Sequence, residues 1–202
     1  MNSLYQNPTI KMSQSTKTGY LELILGPMFS GKTSKLLQLY KQYKFCNISV
    51  IVINYAEDKR YHDTMLSTHD ELMIPCHNSL DLSSILQTPE LMKNSVFLIN
   101  EGQFFPDLVQ SVIDLVEIHH KTVYVCGLDG DFKREKFGSL LDLIPYCDEI
   151  TKLTSFCNLC KNGTKGVFTH RLSNEKEQKI IGTDNYIPLC RKCFIKSYNK
   201  TI

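Results

Sequence analysis

Apolar positions along this chain fall into short unbroken runs separated by stretches of helical spacing. Residues 20–25 (YLELIL) read as a short apolar strand. After a Gly-Pro turn, Leu36, Leu37 and Tyr40 recur at helical intervals among Lys and Gln within 32–45 (KTSKLLQLYKQYKF). Residues 48–54 (ISVIVIN) form a nearly continuous β-branched run, the signature of a strand covered on both faces. The pattern repeats at 95–99 (SVFLI) and 122–126 (TVYVC). Between those two, Leu108, Val109, Val112, Ile113 and Val116 share one face of a helix predicted over 105–119. Buried strands alternating with amphipathic helices predict an α/β fold: a mostly parallel sheet with right-handed crossovers, flanked by helices. Residues 56–78 are polar and irregular and read as a mobile loop. Residues 147–154 close the α/β part. Beyond Ser155 the chain carries paired Cys, Gly, short strand-like pieces and many Lys, so the boundary falls near Ser155. The resulting division is a tail (1–18), an α/β domain (19–154), a small C-terminal domain (155–196) and a short end (197–202).

Composition narrows the class. A chain of 202 residues, 42% hydrophobic, supports one real core and a small appendage. The balance of 23 Lys+Arg against 21 Asp+Glu, with no basic stripe, argues against a nucleic-acid partner, whose affinity rests on neutralised phosphates. No apolar run approaches the roughly 20 residues that span a bilayer. The polar N-terminal 18 residues lack the apolar core of a secretory signal. A cytoplasmic setting follows, in which the eight cysteines are expected as reduced thiols.

Gly26-Pro27-Met28-Phe29-Ser30-Gly31-Lys32-Thr33 matches GxxxxGK[ST] between a buried strand and a helix. Glycines let backbone N–H groups turn inward around phosphates, and the helix N-terminus favours negative charge. Lys32 adds a point charge and the Thr33 hydroxyl suits Mg²⁺. These features make the sheet of the P-loop NTPase type and call for a nucleoside triphosphate. The plain alternative is a chance match in a tight turn, which the strand–loop–helix context disfavours. Met28 and Phe29 sit at the loop crest, where they either pack beneath the loop or face a base or sugar.

Ligands of α/β sheets bind at the carboxyl ends of the strands. The strand at 95–99 ends in Asn100-Glu101-Gly102-Gln103-Phe104-Phe105. Glu101 is its first acid, suited to act as a base or to hold a metal through water. Asn100 stands where such motifs usually have Asp, and it keeps an acceptor oxygen without the charge. A solvated loop acid is the alternative for Glu101.

Cys157-x-x-Cys160 and Cys190-x-x-Cys193 form two CxxC pairs, the pattern of a closed, structural zinc site rather than of redox pairs. Such a site has no open position for chemistry, and its task is to hold a loop over the active face. Cys46, Cys76, Cys126 and Cys147 read as small buried hydrophobes.

Taken in order, LGPMFSGKT, EDKRY, STHD, NEGQFFPDLV, LDGDFKREKFG, CNLC, THRLSNEKE with IIGTDNY, and CRKC cover the chain from about Tyr20 to Phe194. In these segments the sequence resembles the type II thymidine kinases, the cellular and poxvirus-type group. The resemblance implies ATP-dependent phosphorylation of the 5′-hydroxyl of thymidine, and of deoxyuridine. It makes Glu101 the general base and matches Lys32 and Thr33 to the phosphate and magnesium residues. Arg60 falls in the segment that approaches the phosphates. The phosphate set comprises residues 26–33 with Asn100, Glu101, Gly102 and Gln103. The thymine pocket falls on Met28, Phe104, Leu128, Phe132, Phe137 and Thr169. A lasso-like loop containing Gln178, Lys179, Ile180, Ile181 and Gly182 offers backbone groups to the base, and Tyr186 lies near the sugar. A zinc-containing lasso domain, a homotetramer and feedback by thymidine triphosphate are implied as well. Asn100 in place of Asp departs from the family pattern, as does the spacing around the lasso.

Two other readings stay open on the residues alone. In one, a nucleotide-gated module uses the lysines near Cys160 and Cys193 to touch nucleic acid, although a solvated surface explains them better. In the other, Asn100 marks an inactive kinase homologue.

Overall fold

The computed structural model of the protein describes residues 18–57, 65–67, 73–179 and 184–198. Its centre is a six-stranded sheet built from β1 (Tyr20–Leu25), β2 (Val50–Tyr55), β5 (His77–Ser79), β6 (Val96–Ile99), β7 (Thr122–Gly127) and β8 (Glu149–Lys152). The order is β5-β2-β6-β7-β1-β8 and every pairing is parallel. Parallel strands need crossovers, which cover both faces, and the runs of the inner strands are accordingly buried on both sides.

Side-chain alternation splits the core in two. Leu21, Leu23, Ile53, Phe97, Ile99 and Val125 face one way. They pack against Leu108 and Val112 of α4 (Leu108–Ile113), Leu115 of the π-helical turn Asp114–Ile118, and Leu140 and Leu143 of the 3-10 segment Leu140–Tyr146. Ile24, Val52, Leu98 and Cys126 face the other way, against Leu36, Leu37 and Leu39 of α1 (Lys32–Phe45). Truncating a fully buried member such as Leu36 to Ala costs about 2–5 kcal/mol. Glu22 is buried among the apolar residues of the α1 side, and its carboxylate accepts from the Thr151 hydroxyl (2.7 Å) and the Tyr20 hydroxyl (3.3 Å). Tyr20 also donates to Glu149 at 3.0 Å, which ties β1 to β8. Burial and these two acids push the Tyr20 phenol pKa upward.

The segment expected as a mobile loop over 56–78 holds more order than its polarity signals. Strands β3 (Met65–Ser67) and β4 (Met73–Pro75) pair antiparallel, and β5 joins the main sheet beside β2. Leu66 and Ile74 face each other across the hairpin and are buried against the α1 side of the core. Two isolated apolar residues anchor it, too few to establish a period in sequence. Short helices α2 (Ser83–Leu86) and α3 (Pro89–Met92) lead into β6. The helix predicted from 105 begins at Leu108, because Phe105 is extended ahead of Pro106, and Asp107 turns its carboxylate to the N–H groups of Leu82 and Ser83. Of the cysteines expected as buried, Cys126 is, Cys76 and Cys147 are half-buried, and Cys46 is exposed just past the end of α1.

After β8 come two small antiparallel pairs, β9 (Ser155–Phe156) with β10 (Lys165–Gly166), and β11 (Phe168–Arg171) with β12 (Tyr186–Leu189), then α5 (Arg191–Tyr198). Cys157, Leu189, Cys190 and Phe194 form a separate small core there. Among the described residues no helix is long and apolar enough to cross a membrane.

Candidate active site

Parallel strands end on a common edge, where residues 26–33, 100–104 and 128 come together. Leu25 pairs with Gly127, and Ile99 with Val125, so the loops leaving β1, β7 and β6 emerge side by side. Gly31 has φ 83°, a left-handed turn that favours Gly, and launches α1 with its first N–H groups toward the loop. Lys32 is buried, and its ammonium donates to the Pro27 carbonyl at 2.7 Å. Ser30 donates to the same carbonyl at 2.8 Å, so the loop closes on itself. Between this loop and the β6 end lies Cys126, whose thiol pKa is raised by burial, then lowered somewhat by Lys32 and raised by Glu101. One buried sulfur thus feels the loop lysine and the strand-end acid together.

Glu101 adopts φ 55°, a left-handed conformation rare outside Gly, directly after β6. Its carboxylate accepts from Gln103 Nε2 at 2.6 Å. Gln103 is itself buried, and its Oε1 accepts from the Leu128 N–H at 3.1 Å. The Gln103 side chain therefore lies behind Glu101 and links the β6 and β7 exits. Gly138 fits against the Gln103 main chain, where a Cβ would sit 2.0 Å from the Gln103 carbonyl oxygen. Asn100 is buried and donates to Asn54 Oδ1 at 2.9 Å, and Asn54 donates to Asn78 Oδ1 at 3.3 Å. Three amides thus connect the ends of β6, β2 and β5.

An aromatic wall stands beside the acid. Phe104 lies 5.3 Å from Phe137, edge to face, and 5.3 Å from Tyr55. Thr169 is buried on β11 and accepts from the Met28 N–H at 3.0 Å, which joins the small C-terminal module to the phosphate loop. Phe132 is half-buried beneath the Arg171 guanidinium, 3.7 Å from its ring centroid. Gln178 donates to Asp131 Oδ2 at 2.8 Å, and Lys179 pairs with Glu57 and lies 4.6 Å over the Tyr55 ring. Arg60, Ile180, Ile181 and Gly182 lie outside the described residues.

Tyr55, Asn54, Asp131 and Arg171 escaped the sequence reading. Asp131 had a legible signal. Its Oδ1 accepts from the N–H groups of Lys133 and Glu135, the local turn an Asp ahead of a polar run favours. Arg171 and Thr169 both point inward from β11, an alternation that the folded strand and not the sequence makes visible.

The four predicted cysteine ligands converge, with all sulfurs within 4.8 Å of one another. Cys160 Sγ lies 3.7 Å from Cys190 Sγ and 3.5 Å from Cys193 Sγ. Those spacings exceed a disulfide bond and match the edge of a tetrahedron with metal–sulfur bonds of about 2.3 Å. Burial raises the Cys157 thiol, but N–H groups of Cys190, Cys160 and Leu159 outweigh it and bring it to about 6. The Cys160 and Cys190 thiols push Cys193 up to about 12. Sulfurs this close ionise together only around a cation, so the donor set could hold zinc. Arg134 lies over Phe194 of this module at 4.8 Å and over Phe168 at 5.5 Å.

A family model described as "Thymidine kinase" matches residues 19–194. The chain is 38% identical to the cytosolic thymidine kinase of Cricetulus griseus over 191 residues, covering 94% of this chain and 79% of that protein. It is 38% identical to the thymidine kinase of Yaba monkey tumor virus, covering 92% and 99%. Against the vaccinia virus (strain Western Reserve) thymidine kinase it is 38% identical, covering 89% and 98%. With a match of this extent, on a parallel sheet whose strand ends gather the predicted residues, the chain belongs to the thymidine kinase family of enzymes.

Proposed function

We propose that the protein transfers the terminal phosphoryl group of ATP to the 5′-hydroxyl of thymidine, and of deoxyuridine, with Glu101 as general base. The observation that carries this reading is the shared edge: the acid leaves β6 and the loop at 26–33 leaves β1, with the single strand β7 between them. Phosphoryl transfer asks for positioning and charge neutralisation more than for covalent help. Main-chain N–H groups of the loop 26–33, other than Pro27, which has none, and Met28, which donates to Thr169, meet the phosphates together with the α1 N-terminus and Lys32, and Arg60 approaches them from its own segment. Glu101, held by Gln103, accepts the hydroxyl proton as the sugar oxygen bonds to phosphorus and ADP leaves. Mg²⁺, when bound, supplies further neutralisation. The Thr33 hydroxyl and the Asn100 amide oxygen are the hard, neutral donors that suit it, and residue 100 adds no charge.

In this reading the base lies between Met28, Phe104, Leu128, Phe132, Phe137 and Thr169, with backbone groups of residues 178–182 toward its edge and Tyr186 near the sugar. Zinc in the four-cysteine site holds residues 155–196 as a unit. Thymidine triphosphate acts as a feedback inhibitor of a cytoplasmic homotetramer.

A nucleoside panel with ATP and Mg²⁺, scored for monophosphate, tests the proposal. Thymidine and deoxyuridine should be converted, and purine nucleosides should not. Glu101→Gln should lower kcat by about 10²-fold or more with both KM values near wild type. Conversion of all nucleosides alike, or a Glu101→Gln enzyme with normal turnover, would refute it.

A further inference from the structure

Arg171 is a buried cation whose contacts are all with neutral groups. Only 4% of its surface is exposed. Its Nε donates to the Tyr186 hydroxyl at 3.2 Å, and Nη2 to the same oxygen at 2.7 Å. Nη2 also donates to the Gln178 carbonyl at 3.1 Å, and Nη1 to the carbonyls of Glu175, at 3.0 Å, and Glu177. A guanidinium carries five N–H donors in one plane, and each has an acceptor here. The lower face of the plane is the Phe132 ring. Burying such a charge is costly unless hydrogen bonds satisfy it, and three of these acceptors are main-chain oxygens of a single loop.

That loop has further fastenings. Asn185 closes its neck, accepting from the Ser173 N–H at 2.9 Å and donating to the Ser173 hydroxyl at 2.7 Å. Gln178 latches its far side to Asp131. Arg171 fills the middle.

We infer that Arg171 is a positioning residue that sets specificity: its planar donors fix the carbonyls of residues 175–178, and so the course of the chain that meets the nucleoside base. The inference rests on the proposed role of residues 178–182 in holding that base. Lysine cannot replace it. An ammonium keeps the charge but has three donors around a point, which cannot reach four acceptor atoms spread around a plane.

The test compares Arg171→Lys with wild type in steady-state kinetics, with melting temperature and zinc content as controls. KM for thymidine should rise about 10-fold or more, as for loss of a binding-site contact, with ATP KM within about twofold and kcat less affected than KM. Amide exchange across 172–179 should quicken. Gln178→Glu, which sets a carboxylate against Asp131 at an exposed position, should show the same split in smaller measure. Arg171→Lys with wild-type thymidine KM, or with loss of kcat alone, overturns the inference. If Arg171→Lys does not fold, Gln178→Glu decides on the same readouts. A wild-type enzyme that ignores thymidine would instead overturn the proposed function.

Discussion

The Met28 N–H, at the crest of the phosphate loop, donates to the hydroxyl of Thr169 on β11, 141 residues later in the chain. The same strand turns Arg171 inward two residues on, and packs Phe168 and His170 against Phe194 of the cysteine module. One strand therefore touches the loop at 26–33, the segment 175–178 and the candidate metal centre. Thr169→Val keeps the shape and deletes the acceptor, at a cost of about 1–3 kcal/mol for a donor left without its partner. KM should rise for both ATP and thymidine, and Thr169→Ser should restore both. Initial-rate kinetics on the three proteins check this, and a Val variant with unchanged constants for both substrates would contradict it.

Asn100→Asp replaces a donor with an oxygen aimed at Asn54 Oδ1. Asn54 must then reverse its amide and give up its bond to Asn78. A stability loss of about 1–3 kcal/mol is expected, together with half-saturation at a lower Mg²⁺ concentration, because a carboxylate binds the cation better than an amide. Denaturant titration and a Mg²⁺ titration of activity read the two effects separately.

Gly138→Ala forces a Cβ into the Gln103 main chain at a residue with φ 58°. Left-handed backbone alone costs about 1–2 kcal/mol for a residue with a side chain. The clash adds to that and displaces the residue that holds Glu101. Lower melting temperature with a fall in kcat is the expected pair of changes, and a fully active, equally stable variant would count against the Gln103 bracket.

Atomic emission on the purified protein should find about one zinc per chain, the content of a closed four-thiolate site. Cys160→Ser should weaken retention by more than the roughly 10–100-fold that loss of a mere supporting contact brings. Retention of full zinc by that variant after dialysis against a chelator would exclude the four-sulfur site.

The parallel sheet was legible because its inner strands are buried on both faces and so appear as unbroken β-branched runs. The strand–loop–helix unit around Gly31 and the cysteine cluster were legible because each needs fixed residue types at fixed spacing. The β3–β4 pair was not, since among the described residues only Leu66 and Ile74 carry its burial. Nor were Asn54 and Arg171. Their partners lie on other elements, and a buried amide or guanidinium in sequence looks like any surface polar residue until the fold supplies its acceptors. Gln103 was assigned from its motif to the phosphates, whereas its side chain spans Glu101 and Leu128.

Every amino acid carries a carbonyl oxygen, and carbonyls are what Arg171 takes from residues 175–178. Apart from Gln178, whose amide holds Asp131, side chains along that stretch can therefore drift among relatives with little consequence for the grip, while insertions, deletions or a proline, which redirect the oxygens, cannot. Selection there acts on loop length and path, so relatives could share one nucleoside preference while differing at nearly every letter of this segment.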